Sequence, residues 1–204
     1  NLYYSSDSLT LKMTLLRLSI FGGIISGILI ALSIPPFGQV YLFLVAFVPT
    51  LMLITQIIPL KKWNQIGLLT LNVSTVLTIW TAISFYWLIE ISIASYILCL
   101  IACVLTFLLC TAPILFISSS FWRILAFIGS VVLYEVIVNN FAFTSPFVTF
   151  APWVSQYPIF TQYYIFTGVH GGTIWILLAN AAIFLLISKK ELSIKSTIKV
   201  FHWE

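Results

Sequence analysis

Residues 15–45 read LLRLSIFGGIISGILIALSIPPFGQVYLFLV, an apolar run that stops at two prolines and then resumes. A membrane-spanning helix needs about 20 apolar residues, and residues 15–34 supply that length. Pro35 and Pro36 end the first helix, because proline lacks an amide hydrogen and forces the preceding residue into an extended conformation. Phe37 and Gly38 then turn the chain. This stretch therefore predicts two membrane helices joined by a stiff turn.

The composition extends this prediction to the whole chain. Of the 204 residues, 61% are hydrophobic and only 7% are charged. Soluble domains carry about 25% charged residues. Because so little polar surface cannot cover a water-facing globule, the chain is expected to be an integral membrane protein.

Hydropathy predicts an all-α integral membrane protein with about six transmembrane helices. The expected organisation is a cytoplasmic tail (1–14), a six-helix membrane domain (15–188) and a basic cytoplasmic tail (189–204). The predicted spans are 15–34, 40–58, 66–89, 93–117, 124–138 and 173–188.

The basic residues predict the orientation. With six spans, all nine fall on the same side of the membrane: Lys12, Arg17, Lys61, Lys62, Arg123, Lys189, Lys190, Lys195 and Lys199. The positive-inside rule then places both termini in the cytoplasm. These charges are interpreted as topology determinants, and no nucleic-acid partner is expected. The outer connections are 35–39, 90–92 and 139–172, and the last is long enough to predict a functional loop.

Two carboxylates lie near the outer ends of predicted spans. Ionised groups in a membrane are costly and usually face a cavity, a partner or the interface. Glu90 follows Tyr86 and Trp87, so it is either an interfacial carboxylate beside an aromatic belt or part of an outward-facing polar cavity. Glu135 lies just inside the fifth span, and it is either a snorkelling or backbone-bonded side chain or part of the same cavity.

The long outer loop is rich in aromatic residues and proline. Such residues suit the headgroup level of a membrane. The loop is interpreted either as a lipid-facing arm that guides an acyl chain or lipidated partner, or as an interfacial anchor. Its candidate contact residues are Phe143, Pro146, Phe147 and Trp153.

Two features inside predicted spans indicate helix packing. Asn180, in the middle of the sixth span, requires a partner on another helix. Gly23 and Gly27 form a GxxxG pattern, which permits close helix approach and is interpreted as intramolecular packing.

No catalytic or metal motif is visible. Cys99, Cys103 and Cys110 all lie in the fourth span without a metal-binding spacing. His170 and His202 have no acidic cluster nearby in the sequence. No metal and no cofactor is therefore expected.

Four stretches, in order, resemble bacterial apolipoprotein N-acyltransferases. They are LSIPPFGQVYLFLVAFVPTLMLI (32–54), ISFYWLIEIS (83–92), LYEVIVNNFAFTSPFVTFAPWVSQYP (133–158) and FTGVHGGTIWILLANAAIFLLI (166–187). The chain departs from the family pattern in three places. The residues VNN (138–140) replace an Arg-Gly, and residues 145–148 replace Gly-Phe-Pro-Trp. His170 replaces a tyrosine and is a candidate substrate-contact residue.

The resemblance implies the membrane part of an enzyme of the bacterial inner membrane. The family transfers an acyl chain from a phospholipid to the α-amino group of a diacylated lipoprotein, through a thioester. Catalysis in the family belongs to a nitrilase-like domain, whose triad has no counterpart in this sequence. Glu135 matches the family's carboxylate and would line a substrate-access region, where it would attract the lipoprotein ammonium or orient a loop through backbone N–H groups.

The expected partners are phospholipids, lipoproteins and other membrane subunits. Because the sequence begins with Asn1, it is interpreted as a piece of a longer acyltransferase. One alternative is a short relative that acts as a lipid-binding or scaffolding subunit. A small transporter is the second alternative, although neither mid-membrane charge pairs nor inverted repeats are visible.

Overall fold

The computed structural model describes residues 3–140, 149–150, 162 and 164–201, with side chains described for 11–140, 149–150, 162, 164 and 166–189. These residues form an all-helical protein whose apolar helices are those of a multi-pass membrane protein. The α-helices, numbered in chain order, are α1 Tyr3–Ser33, α2 Val48–Gln56, α3 Lys62–Ser84, α4 Leu88–Ile91, α5 Ile93–Thr111, α6 Ser120–Asn140, α7 Tyr164–Thr167 and α8 His170–Phe201. Short 3₁₀ helices cover Val40–Leu44 and Ala112–Phe116.

Five helical stretches in the described part of the chain are long and apolar enough to cross a membrane: Leu11–Ser33, Lys62–Ser84, Ile93–Phe116, Ser120–Asn140 and His170–Lys189. Each corresponds to a predicted span. The helices extend further at the ends, since α1 begins within the predicted tail 1–14 and α8 continues to Phe201. Which side of the membrane each end faces stays a prediction.

The second predicted span, 40–58, is not one continuous helix. The 3₁₀ helix Val40–Leu44 and α2 are separated by a break at residues 45–47. Asn180 compensates for this break. Its Nδ2 donates to the Phe43 carbonyl and its Oδ1 accepts from the Phe47 N–H, both at 2.8 Å. Irregular backbone is tolerated at membrane depth when protein groups satisfy it, and Asn180 has the helix partner that its position required.

The turn at 35–38 lies where the two prolines predicted the first helix to end, since α1 ends at Ser33. The Pro35–Pro36 bond is cis, and Gly38 has a positive φ of 64°. The Gly38 N–H donates to the Ile34 carbonyl, which closes the end of α1. Phe37 is exposed beside the turn.

Helices α1 and α3 pack closely along the face that contains Gly23 and Gly27. A Cβ added at Gly27 would lie 2.8 Å from the Val76 carbonyl oxygen. Asn72 ties the same helices together, because its Nδ2 donates to the Ser19 carbonyl at 3.0 Å. The GxxxG pattern thus serves intramolecular packing, as predicted.

Arg123 organises one end of the bundle. Its guanidinium is buried and donates to the Ile117 and Ile54 carbonyls at 2.6 and 2.8 Å and to Gln65 Oε1 at 2.8 Å. These bonds join the start of α6 to the end of α2 and the start of α3. The sequence interpretation of Arg123 as a topology charge missed this structural role.

Candidate functional site

Glu135 lies on the buried face of α6, at the end of the bundle opposite Arg123. The buried positions of this helix recur at helical spacing and include Phe127, Val131, Tyr134 and Val138. This periodicity turns Glu135 toward the protein interior rather than toward lipid. Its exposed fraction is 0%.

Among the described residues, Phe150, His170 and Thr173 bring donors from distant parts of the chain to the Glu135 carboxylate. The Phe150 N–H donates to Oε1 at 2.6 Å, and the Thr173 hydroxyl lies 2.8 Å from both oxygens. His170 Nδ1 lies 3.2 Å from Oε2. Several hydrogen bonds of this kind offset the cost of burying a carboxylate. The arrangement fastens residues 149–150 and the start of α8 to α6.

The start of α8 is built to bring His170 and Thr173 to one side. The two residues are three positions apart and therefore share a helix face. Gly168 precedes the helix with φ +68°, a conformation that disfavours other residues. A methyl group on Gly172 would overlap the Tyr164 hydroxyl, so α7 packs directly against the start of α8.

An aromatic cluster packs around the Phe150 ring, next to the backbone N–H that Glu135 binds. The Phe150 ring is buried, with its centroid 4.9 Å from Trp80, 5.5 Å from Phe43 and 5.6 Å from Phe47. Aromatic pairs at these separations stabilise each other beyond simple burial. Residues 149–150 therefore form a plug in the end of the bundle, defined here as the Phe150 plug.

The predicted site residues divide into three groups. Glu135 and His170 come together in one hydrogen-bonded pair. Tyr86, Trp87 and Glu90 lie at or near α4 on the surface, and within the described part of the chain Glu90 joins no ion pair. The four loop candidates, Phe143, Pro146, Phe147 and Trp153, lie outside the described residues.

Sequence reasoning did not identify Phe150 or Thr173 as partners of Glu135. For Thr173 a local signal existed, because it lies one helical turn after His170. Phe150 carried no such signal, since its backbone N–H rather than its side chain makes the contact. Likewise, the carboxylate partner of His170 was missed, because Glu135 lies 35 positions away in the sequence.

The geometry favours one of the two predicted actions of Glu135. A fully buried carboxylate with three donors is poorly placed to receive a substrate ammonium. Its contact with the Phe150 N–H matches the alternative, in which it orients a loop through the backbone. His170, with its side chain 36% exposed, is the member of the pair that lies nearer the surface.

Comparison with known proteins gives one result. The family model described as Apolipoprotein N-acyltransferase N-terminal domain matches residues 26–182. This range includes the turn at 35–38, α2 to α7, Glu135 and the apolar start of α8. No curated protein and no solved structure gives a significant match.

Proposed function

Because this chain belongs to the apolipoprotein N-acyltransferase N-terminal domain family and is the membrane module of an N-acyltransferase-like protein, we propose that its Glu135 end admits lipid substrates. The substrates are a phospholipid acyl donor and a diacylated lipoprotein with a free α-amino group. Both would arrive laterally from the outer leaflet of the bacterial inner membrane. The module would position them for N-acylation and would itself make or break no bond.

The Phe150 plug is the observation that carries this proposal. It is held from three sides by Glu135, Trp80 and the phenylalanines of the divided second span. The plug holds residues 149–150 in the end of the bundle, and we infer that substrates meet the chain beside this point. Glu135 is therefore a positioning residue.

His170 is the group proposed to meet the polar part of a substrate. Glu135 orients its ring through Nδ1 at 3.2 Å, which makes Nε2 the atom available to a headgroup. A histidine held by a carboxylate has a defined ring orientation and tautomer. Its place in the family pattern, where relatives carry tyrosine, favours a hydrogen-bonding role at this position.

Binding of a fluorescent diacylated lipopeptide to the chain in lipid nanodiscs tests the proposal. Phe150→Ala removes the plug, and Glu135→Gln replaces one acceptor oxygen with a donor amide facing Thr173 and His170. We expect the Kd to rise about tenfold for each variant, the equivalent of about 1.4 kcal/mol. Phe116→Ala, at an 82% exposed position in the second 3₁₀ helix, is the control and should bind as the unmodified chain does.

Unchanged binding by folded Phe150→Ala and Glu135→Gln would contradict the proposed access role. In the protein purified from its own membrane, the same variants should slow N-acylation of the lipopeptide. Weaker binding by the variants of a protein that does not itself acylate the lipopeptide would instead support a lipid-binding subunit.

A further inference from the structure

A groove lies between α1 and α3 at the Arg123 end of the bundle, far from the Phe150 plug. Its volume is about 310 Å³, and its lining is largely aliphatic, including Leu16, Leu68 and Leu71. Gly67 widens it, because no atom lies within 4 Å of a Cβ built at that position. The groove therefore has room for an apolar chain alongside α3.

The rim of the groove carries a cation and an exposed indole. Lys12 lines one edge, and Trp63, which is 83% exposed, lines another. Lys61 is exposed next to Trp63 in the sequence. Tryptophan and lysine side chains are typical of the level of lipid headgroups.

The described acidic side chains lie at the other end of the molecule. Within the part of the chain whose side chains are described, they are Glu90 and Glu135. Among the described side chains, the exposed charges on the two helices that form the groove are basic: Lys12 and Arg17 on α1 and Lys62 on α3, with Lys61 just before α3. An anionic ligand with an apolar tail complements both its rim and its floor.

We propose that this groove binds one anionic phospholipid from the leaflet on the basic side of the protein. The phosphate of the lipid contacts Lys12, its headgroup lies beside Trp63, and one acyl chain lies over Gly67. Lipid tails are already in an apolar medium, so burial alone does not retain this lipid. Shape retains the acyl chain, and the charge of Lys12 selects the headgroup.

Filling the groove tests the contribution of shape. Gly67→Leu places a side chain where a glycine leaves open space, and leucine favours helix more than glycine does. Gly129→Leu is the matched control, because Gly129 lies in α6 and is equally open. Lys12→Gln removes the selecting charge, and Arg17→Gln removes a charge on the same helix that does not line the groove.

The measurement is native mass spectrometry of protein released from nanodiscs with equal amounts of phosphatidylglycerol and phosphatidylcholine. We expect the unmodified chain to retain one phosphatidylglycerol, and Gly67→Leu to lose it. For Lys12→Gln, the ratio of retained phosphatidylglycerol to retained phosphatidylcholine should be about fivefold lower. Both controls should match the unmodified chain.

Two results would overturn the proposal. One is equal retention of lipid by Gly67→Leu and Gly129→Leu. The other is a preference for phosphatidylglycerol that survives in Lys12→Gln or is absent from the unmodified chain. Lipopeptide binding at the Glu135 end should be unaffected by Gly67→Leu, so this proposal and the proposed function fail independently.

Discussion

At the scale of single residues, the interior is held by polar side chains that satisfy irregular backbone. Arg123 is the clearest case, since each of its three nitrogens donates to a different acceptor and two of those acceptors are main-chain carbonyls. Gln65, which accepts one of these bonds, donates in turn to the Ile58 and Leu60 carbonyls. The turn between α2 and α3 therefore depends on one guanidinium.

Arg123→Lys should destabilise the protein although it keeps the charge. Lysine lacks the planar fork of donors that reaches three acceptors, so buried acceptors are left without partners. Each costs about 1–3 kcal/mol, and we expect the free energy of unfolding in mixed micelles to fall by about 2 kcal/mol or more. Arg17→Lys, at an exposed site, should change it by less than about 0.5 kcal/mol. Equal effects of the two substitutions would contradict this role of Arg123.

At the scale of helices, the contact between α1 and α3 depends on missing side chains. Gly27→Ala would place a methyl group 2.8 Å from the Val76 carbonyl and 2.9 Å from Ile79 Cβ. We expect this overpacking to cost about 1–3 kcal/mol of unfolding free energy. Gly129→Ala should instead stabilise by about 0.5–1 kcal/mol, because the same change in open space only improves helix propensity. In the same denaturation assay, the unfolding free energy should therefore fall for Gly27→Ala and rise for Gly129→Ala. A rise for Gly27→Ala would contradict close packing at that position.

The length of the apolar runs was sufficient to predict five of the helices. The divided second span was not predictable, because the residue that compensates for its break, Asn180, lies 133 positions from Phe47. Hydropathy averages over a window and does not detect a break whose hydrogen bonds come from another helix. A mid-span asparagine predicted a partner but not which one.

At the scale of the whole molecule, the site around Glu135 has the same property as the divided span: its contacts join residues that are distant in the sequence. Glu135 stood out in the sequence because an isolated charge beside an apolar run is costly. Its partners lie 15, 35 and 38 positions away, so their convergence depends on how α6 and α8 pack. The placing of these residues at one end of the bundle was predicted from the alternation of spans, and that alternation stays a prediction.

That alternation requires the divided second span to cross the membrane, and its geometry makes this possible. Val40–Gln56 is too short to cross the roughly 30 Å hydrocarbon core as a regular α-helix of about 1.5 Å per residue. The 3₁₀ segment rises by about 2.0 Å per residue, and the break at 45–47 continues as a hydrogen-bonded turn, in which the Val45, Ala46 and Val48 N–H groups each donate to the carbonyl three positions earlier. The divided segment therefore reaches up to roughly 30 Å, which is enough to separate the turn at 35–38 from the basic turn before α3.

Cysteine accessibility in a bacterial host tests this crossing. On a background with Cys99, Cys103 and Cys110 changed to alanine, Phe37→Cys and Lys61→Cys each place one thiol at an exposed position. An impermeant maleimide should label Phe37→Cys in intact spheroplasts and Lys61→Cys only in inverted vesicles, as the positive-inside rule requires. Labelling of both from one side would mean that residues 40–56 form a re-entrant segment, and the reverse pattern would mean that the basic end faces outward.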